Sequence, residues 1–287
     1  MLCLELVCLI ETLFMAVMVV VYLLVGTVAG FIAGLFGVGG GMIIVPTLLL
    51  TFSMQGYEPA YLTHVAIGTS LATIIVTSIS SVRAHHAKGM VRWDIFREMW
   101  PGLFIGALVG AAIARQLSSG ALQLIIALFA WFVAYKMWVQ PAKDEADSTD
   151  HLPNSVLQKS AGGVIGVASA LFGIGGGSLT VPYLHHFGVR MQQAVATSSA
   201  CGLPIALAGA LGFAGFGVSS SQLPPGAVGF VHIPAFIGIS LASAFTAPLG
   251  AKLAHYLPAQ RLKQTFGVFS LIVGCIFMAK AAAHFQI

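Results

Sequence analysis

The stretch Gly34-Leu35-Phe36-Gly37-Val38-Gly39-Gly40-Gly41 returns 136 positions later as Ala170-Leu171-Phe172-Gly173-Ile174-Gly175-Gly176-Gly177. The match runs on to Val45-Pro46 and Val181-Pro182. Upstream, Gly26-x3-Gly30-x3-Gly34 pairs with Gly162-x3-Gly166-x3-Ala170. Downstream, Gly68-Thr69-Ser70 pairs with Ala196-Thr197-Ser198, and Gly102-x3-Gly106-x3-Gly110 with Ala242-x3-Thr246-x3-Gly250. Matches in one order, offset only by loop lengths, mark an internal duplication. The first repeat covers 1–139 and the second 159–287. The segment 140–158 between them holds four of the nine acids (Asp144, Glu145, Asp147, Asp150) and two prolines, and reads as a cytoplasmic linker.

Charge fixes the surroundings of both repeats. Only 8% of the 287 residues are charged and 58% are apolar, against about 25% and 45–50% in soluble domains. So few charges cannot cover a water-facing surface. A cytosolic globular enzyme, a disordered chain and a nucleic-acid binder are excluded. The formal charge of +4 is spread out and makes no phosphate-binding footprint. No charged residue lies between Glu11 and Glu58, or between Arg190 and Lys252. Gaps long enough for several spans of about 20 residues predict an all-α polytopic membrane protein. The continuous apolar runs lack the alternation of a β-barrel. The run Leu13–Phe36 is too long for a signal-peptide core and reads as a retained helix. Cys3, Cys8, Cys201 and Cys275 show no paired spacing and read as small apolar residues.

Each repeat has one plan. A long apolar helix runs into the glycine turn, a segment too short for an easy span follows (Met42–Met54; Ser178–Phe187), and three longer helices complete it. If the long helix and short segment form a hairpin, each half crosses an odd number of times and the halves are inverted. With His85–Arg97 as a cytoplasmic loop, 11 of 13 basic residues then fall inside, leaving Arg115 and Lys280 outside. A single broken crossing instead gives 8 inside and 5 outside. The positive-inside rule favours inversion, with both termini outside.

Inverted repeats with interrupted helices are a transporter design. Irregular backbone at membrane depth is tolerated where it is buried or lines a cavity. Gly37, Gly39, Gly40 and Gly41, with Gly173, Gly175, Gly176 and Gly177, are such backbone. Their free N–H groups and the helix starts that follow suit a small anion. Pro46 and Pro182 are placed to keep further N–H groups unpaired. The alternative is that these glycines only let helices approach. For Gly26/Gly30/Gly34 and Gly102/Gly106/Gly110 that packing reading is preferred. Thr69-Ser70 and Thr197-Ser198 offer hydroxyl donors to an oxyanion, or else bond their own i−4 carbonyls or cross-helix partners. Thr73, Thr77, Ser78, Ser80 and Ser81 continue a polar stripe toward Arg83. Arg83, His85 and His86 are candidates for a pathway or gate. His64 and His232 read as structural, with proton carriage as the alternative. His185-His186 lacks metal-ligand spacing, and no metal site, cofactor, Walker loop or nucleophile elbow is expected.

These residues resemble the sulfite exporter TauE/SafE family of membrane transporters. The likeness rests on Leu35–Pro46 and Leu171–Pro182, on Gly68-Thr69-Ser70, and on His86-x2-Gly89-x-Val91-x-Trp93. It covers about residues 13–282. It implies a bacterial-type inner-membrane carrier of sulfite or organosulfonates, with the glycine turns and Thr-Ser pairs as anion contacts. The second half departs in having Ala196 for Gly68 and in lacking the basic loop. The expected function is a secondary transporter, an exporter of a small sulfur-containing anion, using alternating access. An anion channel, or a carrier of another small anion, is the alternative. Enzymatic function is not expected. The expected partners are the anion and the bilayer, without nucleic acid; a homo-oligomer stays open.

Overall fold

A computed structural model describes residues 2–37, 39–57, 59–139, 151–218, 220, 223–257 and 259–285. Most of the acidic linker, 140–150, lies outside the described residues, as do the side chains of Cys3 and Cys8. Ten helices are described: α1 (Leu2–Phe36), α2 (Gly41–Met54), α3 (Pro59–His86), α4 (Trp93–Ala114), α5 (Ser119–Val139), α6 (Ser155–Phe172), α7 (Gly177–His186), α8 (Met191–Gly217), α9 (Ile233–Ala254) and α10 (Ala259–Phe285). Two short strands, β1 (Ala227–Val228) and β2 (Val231–His232), pair between α8 and α9. Eight helices are long and apolar enough to cross a membrane. The other two, α2 with 14 residues and α7 with 10, fall short of a span. Leu24, Ile105, Phe245 and Leu249 are exposed on the outer surface, which suits lipid rather than water. The chain is a multi-pass membrane protein.

Small residues decide which helices touch. Lipid tails are as apolar as leucine, so helices in a bilayer associate through close packing. Gly26, Gly30 and Gly34 of α1 lie against Ile239, Ser243 and Ala247 of α9. Gly102, Gly106 and Gly110 of α4 lie against Lys159, Gly163 and Val167 of α6. These are the seams expected of the small-xxx-small patterns. In both, residue numbers rise together, so the paired helices are parallel. The other two major pairings run the opposite way. Along α3 and α8, Gly68 meets Phe213, Leu71 meets Gly209, and Ser81 meets Ser199. Along α5 and α10, Trp138 meets Gly267 and Trp131 meets Gly274. Exchanging the first five helices for the last five leaves this set of pairings unchanged.

Three boundaries depart from the sequence reading. Helix α3 continues through His86, so the expected loop His85–Arg97 shortens to residues 87–92. A Trp93–His86 contact holds that end: Trp93 Nε1–H donates to His86 Nδ1 at 3.2 Å. Helix α6 begins at Ser155, inside the segment read as linker, because the Asn154 side chain accepts from Leu157 N at 3.0 Å and caps it. The uncharged segment before α9 folds back into the bundle, where Phe230 N donates to Phe213 O at 3.2 Å.

A Cβ on Gly34 or Gly106 would overlap the carbonyl oxygen of Ala247 or Gly163, whereas Gly215 has open space. Gly34→Leu and Gly106→Leu are each expected to destabilise by at least about 1–3 kcal/mol. Gly215→Ala is expected to be neutral or slightly stabilising. Thermal melting in detergent, followed by size-exclusion chromatography, checks both.

Candidate functional site

The site is built where the two glycine turns meet. Gly40 and Gly176 cap α2 and α7 in the left-handed region, with φ of 81° and 78°. Only glycine adopts this readily. The Gly40 carbonyl accepts from Ile43 N and Ile44 N, and the Gly176 carbonyl from Leu179 N and Thr180 N. The turns touch directly. Gly41 abuts the Gly173 carbonyl, and a Cβ on Gly39 would lie 3.1 Å from Gly175 Cα. Pro46 and Pro182 sit inside α2 and α7. Each lacks the N–H that a helix sends four residues back, so a carbonyl rather than a donor is left over.

Each Thr-Ser pair ties its own half to the other. Ser70 Oγ donates to the Gly173 carbonyl at 2.8 Å, and Ser198 Oγ to the Gly37 carbonyl at 3.1 Å. Thr69 Oγ1 accepts from His232 N at 2.8 Å, and Thr197 Oγ1 from Arg92 N at 3.0 Å. All four hydroxyl residues are wholly buried. The Ser70 hydrogen therefore serves a turn carbonyl, whereas the Ser198 hydroxyl lies within reach of two, Val195 O at 2.9 Å and Gly37 O at 3.1 Å. Further along α3, Thr77 bonds Ser243 at 2.9 Å, Ser80 Oγ donates to Ala244 O at 2.6 Å, and Ser81 Oγ to Ser199 Oγ at 3.2 Å. That stripe is a helix interface.

Amides without a backbone acceptor occur at both turns, and among the described residues Gly39, Gly40, Gly41 and Met42 supply them at the first. Among the described residues, the amides of Gly175, Gly177 and Ser178 have no backbone acceptor. The buried hydroxyls of Ser78 and Thr180 have no partner. Ser78 faces Gly202, whose backbone lies against the Gly175 carbonyl, and Thr180 lies beside Gly176. The sequence reading missed Thr180 as a site residue. The signal was a hydroxyl two residues before Pro182 in an apolar segment. Its counterpart in the first half, Ile44, has none. A cavity of about 190 Å³ between α5 and α7 reaches Ser178 from Lys136, passing Tyr183, whose buried hydroxyl is also unpartnered.

The other candidates lie apart from the turns. Arg83 and His86 are exposed at the end of α3. His85 is buried within that helix. His64 donates from Nε2 to Ala114 O at 3.0 Å, between the rings of Tyr61 and Phe230. His232 caps α9, its Nδ1 accepting from Ala235 N at 3.2 Å. No group of three or more His, Cys, Asp or Glu is placed to hold a metal among the described residues.

Residues 22–277 match the family model described as sulfite exporter TauE/SafE. A probable membrane transporter protein of Haemophilus influenzae is 35% identical over 88% of this chain and 94% of its own. The probable membrane transporter protein YunE of Bacillus subtilis is 26% identical over 89% of this chain and 96% of its own. A probable membrane transporter protein of Methanocaldococcus jannaschii is 26% identical over 84% of this chain and 88% of its own. No solved structure matches the chain.

Ser70→Ala or Ser198→Ala leaves a buried turn carbonyl without its donor. Each is expected to cost about 1–3 kcal/mol, read as a lower melting temperature of the purified protein. Ser220→Ala, outside the turns, is expected to leave melting unchanged.

Proposed function

Because the chain belongs to the sulfite exporter TauE/SafE family, we propose that it exports a small sulfur-containing oxyanion, sulfite or an organosulfonate, as a secondary transporter. One observation carries the reading: among the described residues, three amides around the second turn lack a backbone acceptor and two buried hydroxyls there, Ser78 and Thr180, lack any partner. In a membrane interior each such donor is costly unless something accepts from it. A ligand rich in acceptors and poor in donors answers that need, and a small oxyanion is one. No basic side chain is placed at the turns, so the anion is held by dipoles and can leave again. Gly37, Gly39, Gly40 and Gly41 close the site from the first half.

The membrane is a bacterial-type inner membrane, with the basic loops cytoplasmic and both termini outside. An inside-negative potential then drives a monoanion outward by about 2.3 kcal/mol per 100 mV. Inverted repeats are supported by the antiparallel pairing of α3 with α8 and of α5 with α10. Alternating access is proposed between two units that exchange a helix. Helix α9 packs on α1 and α3, and α4 packs on α6 and α8. The seams join α1 to α9 and α4 to α6 through backbone contact. The moving bodies are therefore α1–α3 with α9 and α6–α8 with α4, rather than the two sequence halves.

Sulfite, sulfate, methanesulfonate, phosphate and chloride are to be compared at equal ionic strength for stabilisation of the purified protein. A selective shift with the sulfur oxyanions is expected, weakened about tenfold in apparent affinity by Thr180→Val and lost in Gly176→Val. Equal shifts with every anion would sink the reading.

Cross-linking separates the moving units. Ser81→Cys with Ser199→Cys bridges α3 and α8, between units; oxidation is expected to stop flux in proteoliposomes. Thr77→Cys with Ser243→Cys bridges α3 and α9, within one unit, and is expected to leave flux intact.

A further inference from the structure

Away from the turns, a cavity of about 170 Å³ opens where α3 ends and α8 begins. Met90, Arg190, Gln192, Gln193 and His255 line it. No carboxylate is among these lining residues. Behind it runs a short chain of imidazoles. His85 Nε2 lies 3.2 Å from the Gly34 carbonyl oxygen, and His85 Nδ1 lies 3.3 Å from His255 Nε2.

The carbonyl fixes the tautomers. It can only accept, so His85 carries its hydrogen on Nε2. In the neutral ring Nδ1 is then the acceptor, and His255 donates to it from Nε2. His255 Nδ1 is left as a bare acceptor. That nitrogen is buried and has no partner among the described residues.

The charged and titratable groups around His255 come from several elements. Lys88 lies in the loop after α3, Arg190 precedes α8, and His85 belongs to α3. Helix α1 presents only the Gly34 carbonyl. Lys252 on α9 is exposed, and the side chains of Arg261 and Lys263 lie outside those described. Burial first, and the Lys88 charge second, hold the His255 imidazole below the usual histidine range. It is neutral at pH 7, with its lone pair available. A ligand that completes this cavity must bring negative charge for Arg190 and a hydrogen for His255 Nδ1.

We propose that this cavity is a second binding site, which takes up a small oxyanion together with one proton. The proposal rests on the anion-transporter reading and adds a mouth to it. An oxyanion that keeps an O–H donates that hydrogen to His255 Nδ1 and turns its charged oxygens to Arg190. A fully ionised oxyanion binds after His255 has taken a proton from solution. Both routes give a complex with the same number of protons. The relay ends on Gly34, three residues before Gly37, so occupancy of the mouth bears on the end of α1 that leads into the first turn.

The test is calorimetric titration of the full chain in detergent, with methanesulfonate as the ligand that carries no exchangeable proton. Titrations in two buffers of different ionisation heat count the protons taken up. The wild type is expected to take up close to one proton per anion bound at this cavity, with affinity there falling about tenfold for each pH unit over which uptake is complete. His255→Asn is expected to abolish the uptake and weaken binding about tenfold, and Arg190→Gln to weaken binding while uptake persists. Both residues sit at helix ends that tolerate these changes, and an unchanged melting temperature verifies the fold. Proton uptake unaltered in His255→Asn overturns the proposal, as does unaltered affinity in both variants. Thr180→Val separates the two sites. Binding lost there but kept in His255→Asn leaves the turn site standing and removes the mouth. Binding kept in Thr180→Val but lost in His255→Asn keeps the mouth and removes the turn site.

Discussion

Inside a bilayer, a peptide group that finds no partner in the protein finds none at all. Two helices interrupted at membrane depth place peptide groups in that position, and much of this fold answers them. The carbonyls of Gly37 and Gly173 are each met by a serine from the opposite half. The loops that precede α4 and α9 fold inward and give their amides to Thr197 and Thr69. These four bonds form a matched set, two from each half. The carbonyls of Gly37 and Gly173 thus have donors within the chain, whereas among the described residues amides at both turns have no backbone acceptor and the Thr180 hydroxyl has no partner. The proposed binding role draws on that imbalance. A turn that existed only to let helices approach would gain from satisfying its donors too.

The seams follow from the same solvent. Hydrophobic sequestration cannot pull helices together in lipid, so surfaces must be flat enough for backbone to meet backbone. Glycines every four residues supply that flatness on α1 and α4, and the partners are α9 and α6. Each half therefore lends its fourth helix to the other. Such an exchange welds the halves into one structure and leaves α3 against α8, where Gly68 meets Phe213, Leu71 meets Gly209 and Ser81 meets Ser199. A glycine seam, by contrast, cannot slip without steric overlap.

The fold was legible because its signals are local and repeated. Span lengths follow from charge gaps, and the seams from the spacing of small residues. The short helices after each turn follow from the distance to the next polar residues. The partners of polar side chains were not legible. Ser70 reads equally as a ligand donor, a cap or a cross-tie, and only the position of Gly173 across the bundle decides. His85 illustrates the same limit differently. Its charged and polar neighbours Arg83, His86 and Lys88 suggested a loop, yet the helix persists to His86 and turns His85 inward to Gly34. Helical phase selects which member of a polar cluster is buried, and an error of one residue in the boundary reverses the answer. His255 carried no local signal at all, since its meaning comes from His85, 170 positions away.

The duplication is symmetric in backbone and asymmetric in chemistry. Turns, prolines and Thr-Ser pairs occur twice, but Thr180 has Ile44 as its counterpart, and the basic loop of residues 87–92 has an uncharged segment before α9 as its own. Symmetric backbone gives two conformations of similar energy, related by exchange of the halves, as alternating access requires. Perfect symmetry would also make the two states equivalent toward the ligand, and transport would then have no built-in sense. Placing the unpartnered Thr180 hydroxyl at one turn, and the Arg190–His255 cavity at one end, makes the two halves chemically different. Direction still comes from the gradients across the membrane, because a binding site cannot supply net free energy over a cycle. In the proposed cycle, what the asymmetry sets is the affinity at each face, and hence which face loads first at a given concentration of anion.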